Sequence, residues 1–243
     1  MNATDSTRLK VSVIGAGPVG LSLSKAVSDA GHTVIAISTT DPARAAQVES
    51  VLPGVPVVSV IDAVQGVDLV IFAIPGNQIR DLVKGLVATE SLSRGQLLVH
   101  TSPEYGYEIF DDALSLGIVP MAIHPAIKFT GFSSIDRARL IDSYIAVDAP
   151  RAVLAVAQTL AIELGGEPVH VPQGARAKYA EAISVASTFT TLIVGQAITL
   201  LEDAGVDKSR NLLSGIFRSS LEESLRTAVT EIDPADLFEG DDQ

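Results

Sequence analysis

The sequence has no cysteine and no tryptophan, and only 5% of its 243 residues are aromatic. The absence of cysteine excludes disulfides, thiolate metal ligands and cysteine nucleophiles. Basic residues are also scarce: 17 Lys and Arg stand against 29 Asp and Glu, which gives a formal net charge of -12. Because that charge repels a phosphate backbone, we expect no nucleic-acid partner.

The first residues, Met1–Thr7, have neither the basic nor the apolar segment of a secretory signal, so we expect a cytoplasmic protein. Twenty uncharged residues lie between Glu181 and Glu202, long enough on paper to span a bilayer. Seven of them are Ser, Thr or Gln, and no basic loop flanks the stretch. We therefore predict a buried or inter-subunit helix there, and no membrane span.

A glycine-rich element follows the apolar stretch Lys10–Ile14. It reads Gly15-Ala16-Gly17-Pro18-Val19-Gly20, the G-x-G-x-x-G spacing of a turn from a strand into a helix. Such glycines permit the tight turn, the close approach of a pyrophosphate and close helix packing, while the helix N-terminus favours the anion. We predict that Gly15, Gly17, Pro18, Val19 and Gly20 bind a dinucleotide. The alternative is a glycine-rich turn between core elements.

Strand and helix patterns alternate along most of the chain. This alternation predicts a doubly wound, mostly parallel α/β sheet of the Rossmann type, followed by a smaller all-α domain. The boundaries expected are 8–172 for the nucleotide-binding domain, 173–230 for a helical dimerisation or substrate domain, and 231–243 for an acidic tail. Strands are predicted at 10–14, 33–37, 55–60, 68–74, 96–100, 118–123, 144–147 and 168–171, and helices at 18–30, 42–50, 77–87, 104–116, 151–164, 175–204 and 207–229.

The end of the second predicted strand bears on the choice of dinucleotide. Sites selective for NAD place an acidic residue there to bind the ribose 2′-hydroxyl, and this sequence has Ser38 instead. Thr39, Thr40 and Arg44 follow, offering hydroxyl donors and one cation to a 2′-phosphate. We therefore predict NADP as the cofactor. The alternative is that these residues only form a capping loop before the helix at Pro42.

Later strand ends supply further candidates. We expect Ala73, Ile74 and Pro75 to flank the ribose or nicotinamide, and Asn77 and Gln78 either to bind there or to cap the next helix.

Two histidines also stand at strand ends. We predict that His100 and Thr101 lie over the cofactor and that His124 donates the proton that accompanies hydride transfer. For each histidine the alternative is a bond to a backbone carbonyl that closes a loop.

Three cations lie close in sequence to that crevice: Lys128, Arg176 and Lys178. A small anionic substrate needs one of them, and the catalytic set predicted is His124, Lys128 and Lys178. No metal site is predicted, because no histidines or clustered carboxylates have ligand spacing.

Several stretches together resemble a family of bacterial Rossmann-like oxidoreductases with a helical C-terminal domain of unknown function. They are Gly15–Gly20, Asp68–Pro75, His124–Gly131 and Lys178–Ala182. The family is related to ketopantoate reductase, pyrroline-5-carboxylate reductase and deazaflavin-dependent NADP oxidoreductases. The resemblance implies an NADP-binding N-terminal domain and a helical domain that commonly pairs two subunits, with residues 175–204 as the pairing helix.

These observations together predict an NADP-dependent oxidoreductase, a homodimer, that transfers a hydride to or from a small carboxylate-bearing ketone or imine. Two alternatives stay open. One is a non-catalytic NADP-binding sensor or scaffold, because the segment Asp236–Gln243 departs from the family pattern. The other is an oxidoreductase that exchanges hydride between NADP and a deazaflavin, as some relatives do.

Overall fold

The structure is a computed structural model that describes residues 8–131 and 133–227. Eight strands form one sheet: β1 Lys10–Ile14, β2 Thr33–Ser38, β3 Val57–Val58, β4 Leu69–Phe72, β5 Leu97–His100, β6 Val119–Pro125, β7 Tyr144–Asp148 and β8 Glu167–His170. The helices are α1 Pro18–Asp29, α2 Pro42–Val51, α3 Val60–Val64, α4 Gly76–Ala88, the 3₁₀ helix Tyr107–Leu116, α5 Ser133–Leu140, α6 Leu154–Glu163, α7 Gln173–Asp203 and α8 Ser209–Thr227.

The strand order is β3-β2-β1-β4-β5-β6-β7-β8. Neighbouring strands are parallel except β6 and β7, which are antiparallel. The predicted mostly parallel, doubly wound sheet is confirmed. Because β1, β4, β5 and β6 run in the same direction, their carboxyl ends meet at one edge, where open α/β sheets bind ligands.

Both faces of the sheet are covered by apolar side chains, which explains the continuous apolar pattern of β4. Leu69 and Ile71 lie in the core on one face, and Val70 and Phe72 lie in the core on the other. A parallel strand covered on both faces is expected to have this pattern. The sheet is therefore a rigid support for the residues at its edge.

Three elements differ from the sequence prediction. The strand predicted at 55–60 is only Val57–Val58, because Ser59 accepts a hydrogen bond from the Asp62 N–H and begins α3. The helix predicted at 104–116 is a 3₁₀ helix that ends at Gly117, whose φ is +76°. Residues 129–140, with their weak pattern, contain α5.

The chain divides into two compact units between Ile183 and Ser184, within α7. In the second unit, α7 and α8 expose several large apolar side chains, including Phe189, Leu192 and Ile216. By length and composition alone α7 is able to cross a membrane, since an 18-residue window of it has a mean hydropathy of 1.5, but this is weak evidence because core helices of soluble proteins pass the same test. The acidic tail predicted at 231–243, and the predicted end of the last helix at 229, lie outside the described residues.

Candidate functional site

The three glycines at the turn from β1 into α1 have different steric environments. Gly15 has φ +107°, and a Cβ there would lie 2.4 Å from the Ala73 carbonyl oxygen. A Cβ on Gly20 would lie 1.8 Å from the Gly15 carbonyl oxygen, whereas a Cβ on Gly17 would meet no atom within 4 Å. Gly15 and Gly20 are thus required by the packing of the turn. Gly17 instead leaves open space over the start of α1.

The start of α1 has the features of an anion site. Gly17 is the N-cap and provides no side-chain cap, and Pro18 at the first position has no N–H. The first intrahelical bond runs from the Leu21 N–H to the Gly17 carbonyl, 3.0 Å away. The N–H groups of Val19 and Gly20 therefore point out of the helix start with no intrahelical acceptor. Together with the space over Gly17, they fit the pyrophosphate of a dinucleotide.

The loop after β2 contributes to the turn and also caps a helix. The Ser38 carbonyl accepts a hydrogen bond from the Gly15 N–H at 2.8 Å. The Thr39 hydroxyl accepts one from the Asp41 N–H at 3.2 Å, and the Asp41 carboxylate accepts one from the Ala43 N–H at 2.8 Å. The capping role left open from the sequence is therefore present. Because the Thr39 hydroxyl accepts a hydrogen bond in this cap, its own proton is still available as a donor.

The end of β4 lies against the glycine turn. The Ala73 N–H donates to the Ile14 carbonyl at 2.8 Å, and the Ile74 side chain lies 3.0 Å from the position of a Cβ on Gly15. Pro75 is the N-cap of α4, and Asn77 and Gln78 are exposed in its first turn. Ala73 and Ile74 therefore lie beside the glycine turn, and the contact of Ala73–Pro75 with the ribose or nicotinamide stays a prediction.

Both ring nitrogens of His100 bind backbone groups. Nδ1 accepts from the Ser102 N–H at 3.2 Å, so Nε2 carries the proton and donates to the Gly106 carbonyl at 2.9 Å. The side chain is fully buried, and burial lowers its pKa to about 3. The geometry favours the loop-closing alternative for His100 over a contact with the cofactor. Thr101, which is half-buried, follows it, and its N–H donates to the Phe72 carbonyl at 3.3 Å.

At the end of β6, His124 pairs with Tyr179 of α7. The Tyr179 hydroxyl lies 2.7 Å from His124 Nδ1, and the two rings meet edge to face with centroids 5.5 Å apart. Burial, assisted by the nearby charge of Arg176, lowers the pKa of His124 to about 4. Burial also raises the pKa of Tyr179, and Arg176 opposes that rise. At neutral pH the pair is therefore uncharged, which differs from the near-neutral imidazole expected from the sequence.

Of the three cations predicted near the crevice, Arg176 differs from the others by being fully buried. Its Nε donates to the Val171 carbonyl at 2.9 Å, and its guanidinium carbon lies 5.9 Å from the centre of the Tyr179 ring. Neither Nη1 nor Nη2 has a hydrogen-bond partner among the described residues. Lys128 and Lys178, which the sequence favoured for catalysis, are exposed. The i, i+3 spacing of Arg176 and Tyr179 on one helix was the available sequence signal.

Two acidic side chains near Arg176 were missed by the sequence prediction. Asp148 and Glu108 each have one buried carboxylate oxygen without a hydrogen-bond partner in the described part of the chain. Both oxygens lie 2.5 Å from where a Cβ on Gly106 would be, as does Oε1 of Gln173, which accepts the Gly106 N–H at 2.5 Å. Burial and the charge of Asp148 raise the pKa of Glu108.

Within residues 8–131 and 133–227, no group of three or more His, Asp or Glu side chains is placed to hold a metal ion.

The register of the sheet explains how these acids reach His124. Asp148 lies directly opposite Ala122 in the β6–β7 ladder, and His124 lies opposite Ala146. Because residues two apart on a strand face the same side, Ala122, His124 and Asp148 share one face of the sheet. His100 lies opposite Ala122 on the other neighbouring strand and shares this face. These side chains therefore converge near the carboxyl ends of β5 and β6.

Asp136 of α5, also missed, holds the loop after β6 against α1. Its fully buried carboxylate accepts hydrogen bonds from the Ser22 hydroxyl, from the N–H and hydroxyl of Thr130, and from the Gly131 N–H, all at 2.8–2.9 Å. Burial alone would raise the pKa of Asp136, but these bonds outweigh it and lower the pKa. A Cβ on Gly131 would lie 3.6 Å from the Pro18 ring, so Asp136 fixes this loop beside the helix start.

Comparison with known proteins agrees with this architecture. The Rossmann-like domain profile matches residues 2–125, and the profile of a domain of unknown function, DUF2520, matches residues 143–232. No curated protein matches the sequence.

Solved structures are similar at low sequence identity. A candidate NADP oxidoreductase from Bacteroides fragilis has a TM-score of 0.75 at 16% identity, over 96% of this chain and 85% of its own. An imine reductase from a Pseudomonas species has a TM-score of 0.68 at 18% identity, over 91% of this chain and 76% of its own. The 1-pyrroline-5-carboxylate reductase from Streptococcus pyogenes has a TM-score of 0.63 at 16% identity, over 95% of this chain and 83% of its own. At these identities the likeness shows the fold. The chain belongs to the Rossmann-like domain family, and its residues 143–232 match the DUF2520 profile.

Proposed function

We propose that this protein is an NADP-dependent oxidoreductase that transfers a hydride to or from a small ketone or imine bearing a carboxylate. The observation that carries the proposal is the open space over Gly17, at a helix start with outward N–H groups and no side-chain cap. Proteins of the same fold include an imine reductase and a pyrroline-5-carboxylate reductase, which supports the reaction class.

NADP is preferred to NAD because of the side chains that follow β2. Thr39 offers a hydroxyl proton, and Arg44 is a partly exposed cation whose Nη1 bonds to the neutral Gln47 side chain, at 2.9 Å. Asp41, the one carboxylate nearby in sequence, is engaged in capping α2. A 2′-phosphate therefore meets donors and a positive charge here, and a guanidinium is well suited to bind it.

Reduced nicotinamide supplies the hydride when bound, so the protein must orient the substrate and manage its proton. We expect Ala73–Pro75, which follow β4 beside the glycine turn, to flank the ribose or nicotinamide of the cofactor. With a raised pKa, the Tyr179 hydroxyl keeps its proton at neutral pH and donates a hydrogen bond either to His124 Nδ1 or to a substrate atom. Since the pKa of His124 is about 4, its neutral ring acts as a hydrogen-bonding partner rather than an imidazolium acid.

The second compact unit supports a homodimer. Phe189, Leu192 and Ile193 of α7 are each more than half exposed, as are Leu212, Ile216, Leu221 and Leu225 of α8. A cavity of about 420 Å³ lies in this unit, lined mainly by apolar side chains of the two helices. Large exposed apolar patches mark interaction surfaces, and a second copy of the chain is the occupant we propose. We also propose that 8–172 binds the cofactor, that 173–230 pairs the subunits, and that the protein is cytoplasmic.

A titration tests the proposed cofactor. Binding of NADPH and NADH is measured by fluorescence on the wild type, on Arg44→Ala and on Arg151→Ala, which removes an exposed arginine outside the site. We expect Arg44→Ala to weaken NADPH roughly 10-fold and NADH less than about 2-fold, because only NADPH carries the 2′-phosphate. Equal effects on both nucleotides would refute the 2′-phosphate assignment. Failure of both nucleotides to bind the wild type would refute the proposed function.

A turnover screen then tests the reaction. Oxidation of NADPH is followed with 2-oxo acids, cyclic imines and the corresponding compounds without a carboxylate. We expect turnover only with members that carry the carboxylate. Tight NADPH binding without turnover across the panel would favour a sensor or scaffold instead.

A further inference from the structure

Around Gly106 and the start of α7, buried atoms of a positively charged side chain and of two negatively charged side chains have no hydrogen-bond partners among the described residues. Arg176 is fully buried, yet both of its Nη atoms lack partners among the described residues. One oxygen of Asp148 and one of Glu108 are buried in the same way. Leaving buried charged groups without hydrogen bonds costs free energy, so such groups are normally satisfied by a ligand or by water. We refer to Arg176, Asp148 and Glu108 as the head-group site.

The head-group site has donors and acceptors that do not satisfy one another. Asp148 and Glu108 both act electrostatically on Arg176, so they lie near it. However, neither of the Nη atoms has an acceptor in the described part of the chain, and the unpartnered carboxylate oxygens converge instead on Gly106. A group inserted between them needs an acceptor for the guanidinium and a donor for the carboxylates.

The signs of the charges restrict the ligand further. A ligand with a carboxylate alone would satisfy Arg176 but would add a third negative charge beside Asp148 and Glu108. A ligand with a cation alone would leave the Arg176 donors unpaired. A head group with both a carboxylate and a protonated nitrogen satisfies both sides and adds no net charge.

Building on the proposed function, we infer that the head-group site binds a zwitterionic head group, and that the substrate is a protonated imine carrying a carboxylate, with the corresponding amino acid as product. Arg176 binds the carboxylate through Nη1 and Nη2. Asp148 and Glu108 accept from the protonated nitrogen. The neighbouring His124–Tyr179 pair lies on the same face of the sheet as Asp148 and packs against Arg176.

The chemistry of this substrate suits the groups present. Hydride from NADPH adds to the imine carbon and forms a C–H bond, while the π pair of the C=N bond moves onto nitrogen. The imine is reduced, NADPH is oxidised to NADP⁺, and the nitrogen keeps the proton it brought. The amine formed then takes one further proton from solvent. No side chain has to act as a strong acid during hydride transfer, whereas a ketone needs a proton donor for its developing alkoxide.

Three sets of unreactive probes test the charge requirement. They are alanine, ethylamine and propanoate; proline, pyrrolidine and cyclopentanecarboxylate; and phenylalanine, 2-phenylethylamine and 3-phenylpropanoate. Each set has one zwitterion and two relatives that lack one charge. Dissociation constants are measured by calorimetry on the full chain, with saturating NADPH and again without nucleotide. We expect at least one zwitterion to bind at least about 10-fold more tightly than both of its relatives, since each charged hydrogen-bonded contact is worth that much.

Variants assign the two charges to residues. Arg176→Gln should reduce the advantage of the zwitterion over the amine to less than about 2-fold and keep its advantage over the carboxylate, because only the guanidinium partner is lost. Asp148→Asn should do the reverse. Arg151→Gln and Asp112→Asn remove the same charges from exposed positions and should change neither advantage. Should Arg176→Gln fail to fold, Arg176→Lys keeps the charge but not the two-pronged donor, and should lose most of the advantage over the amine.

The outcomes separate this inference from the proposed function. If none of the three zwitterions binds more tightly than its relatives, or if Arg176→Gln weakens all members of a set equally, the head-group assignment is wrong even when NADPH binds and is oxidised. If the zwitterion advantage is found and depends on Arg176, but no imine or ketone oxidises NADPH, the head-group site stands and the proposed oxidoreductase function fails.

Discussion

Replacing Gly17 with alanine separates cofactor binding from folding. Gly17 has φ -73° and ψ -179°, an extended backbone that any residue adopts, and its Cβ would meet no atom within 4 Å. Stability should therefore change by less than about 1 kcal/mol, because alanine restricts the unfolded chain more than glycine does but is a less favourable N-cap residue. The new methyl group, however, would occupy the space where the pyrophosphate approaches the helix start. Overpacking of this kind costs roughly 1–3 kcal/mol, which weakens NADPH about 5- to 150-fold.

Two other glycines serve as references for this experiment. The Cβ of Gly20→Ala would lie 1.8 Å from a backbone oxygen that cannot rotate away, so this variant should lose at least about 3 kcal/mol of stability. Gly85→Ala lies in α4 with open space around it, and should gain about 1 kcal/mol with no change in NADPH affinity. Stability is measured by thermal unfolding followed by circular dichroism, and affinity by NADPH fluorescence. Wild-type NADPH affinity in a folded Gly17→Ala protein would show that the pyrophosphate does not lie over this turn.

Three further changes test the other structural assignments. Asp136→Asn should lower the free energy of unfolding by about 2–4 kcal/mol at pH 7, since charged hydrogen bonds in the core are lost. Because folding lowers the pKa of Asp136, the extra stability of the wild type should be present above the unfolded pKa of about 3.9 and should disappear as the pH falls through the folded-state pKa. The exposed control Asp112→Asn should change the free energy of unfolding neither at pH 7 nor at low pH. Tyr179→Phe should reduce kcat at least about 10-fold for any ketone that is turned over but less than about 3-fold for a protonated imine, because only the ketone needs a proton donor. Equal losses for both substrates would contradict the role of the Tyr179 hydroxyl as that donor. Leu192→Glu should convert the dimer to a monomer in sedimentation experiments. Ile162→Glu should remain dimeric, because Ile162 lies in the first unit, although it is as exposed as Leu192 (61% for each residue). A dimer that survives Leu192→Glu would argue against pairing through α7.

The parts of the fold that were predictable have local signals. The apolar run of β4 and the glycine spacing after β1 depend only on neighbouring residues, and both elements lie where the sequence placed them. Two local predictions failed, one because a cap decided the outcome and the other because the helix has fewer residues per turn than an α-helix. Ser59 begins a helix where a strand was expected, and the residues before Gly117 form a 3₁₀ helix. Neither effect changes the pattern of apolar residues from which the elements were predicted.

The candidate site was less predictable because its members are brought together by register and long-range contacts. The Ser22 hydroxyl bonds to Asp136 across 114 residues of sequence, and no local pattern marks either residue. Asp148 shares the face of His124 because the register of β6 and β7 places it opposite Ala122. A shift of that register by one residue would turn its side chain to the other face of the sheet. Sequence pattern constrains where strands lie, but it leaves such a register open.

The two halves of the proposed site use different kinds of contact, and this has a consequence for where specificity resides. At the start of α1 the donors are backbone N–H groups, which any sequence with the right glycines can present. At the head-group site the contacts are side chains: Asp148 and Arg176 fall within the region that matches the DUF2520 profile, and Glu108 falls within the Rossmann-like match. A change of substrate therefore needs changes at these side chains, while the cofactor site at Gly15–Gly20 can stay as it is. For this reason, charge-reversing exchanges at Arg176 and Asp148 should alter which molecule is reduced well before they alter which nucleotide is bound.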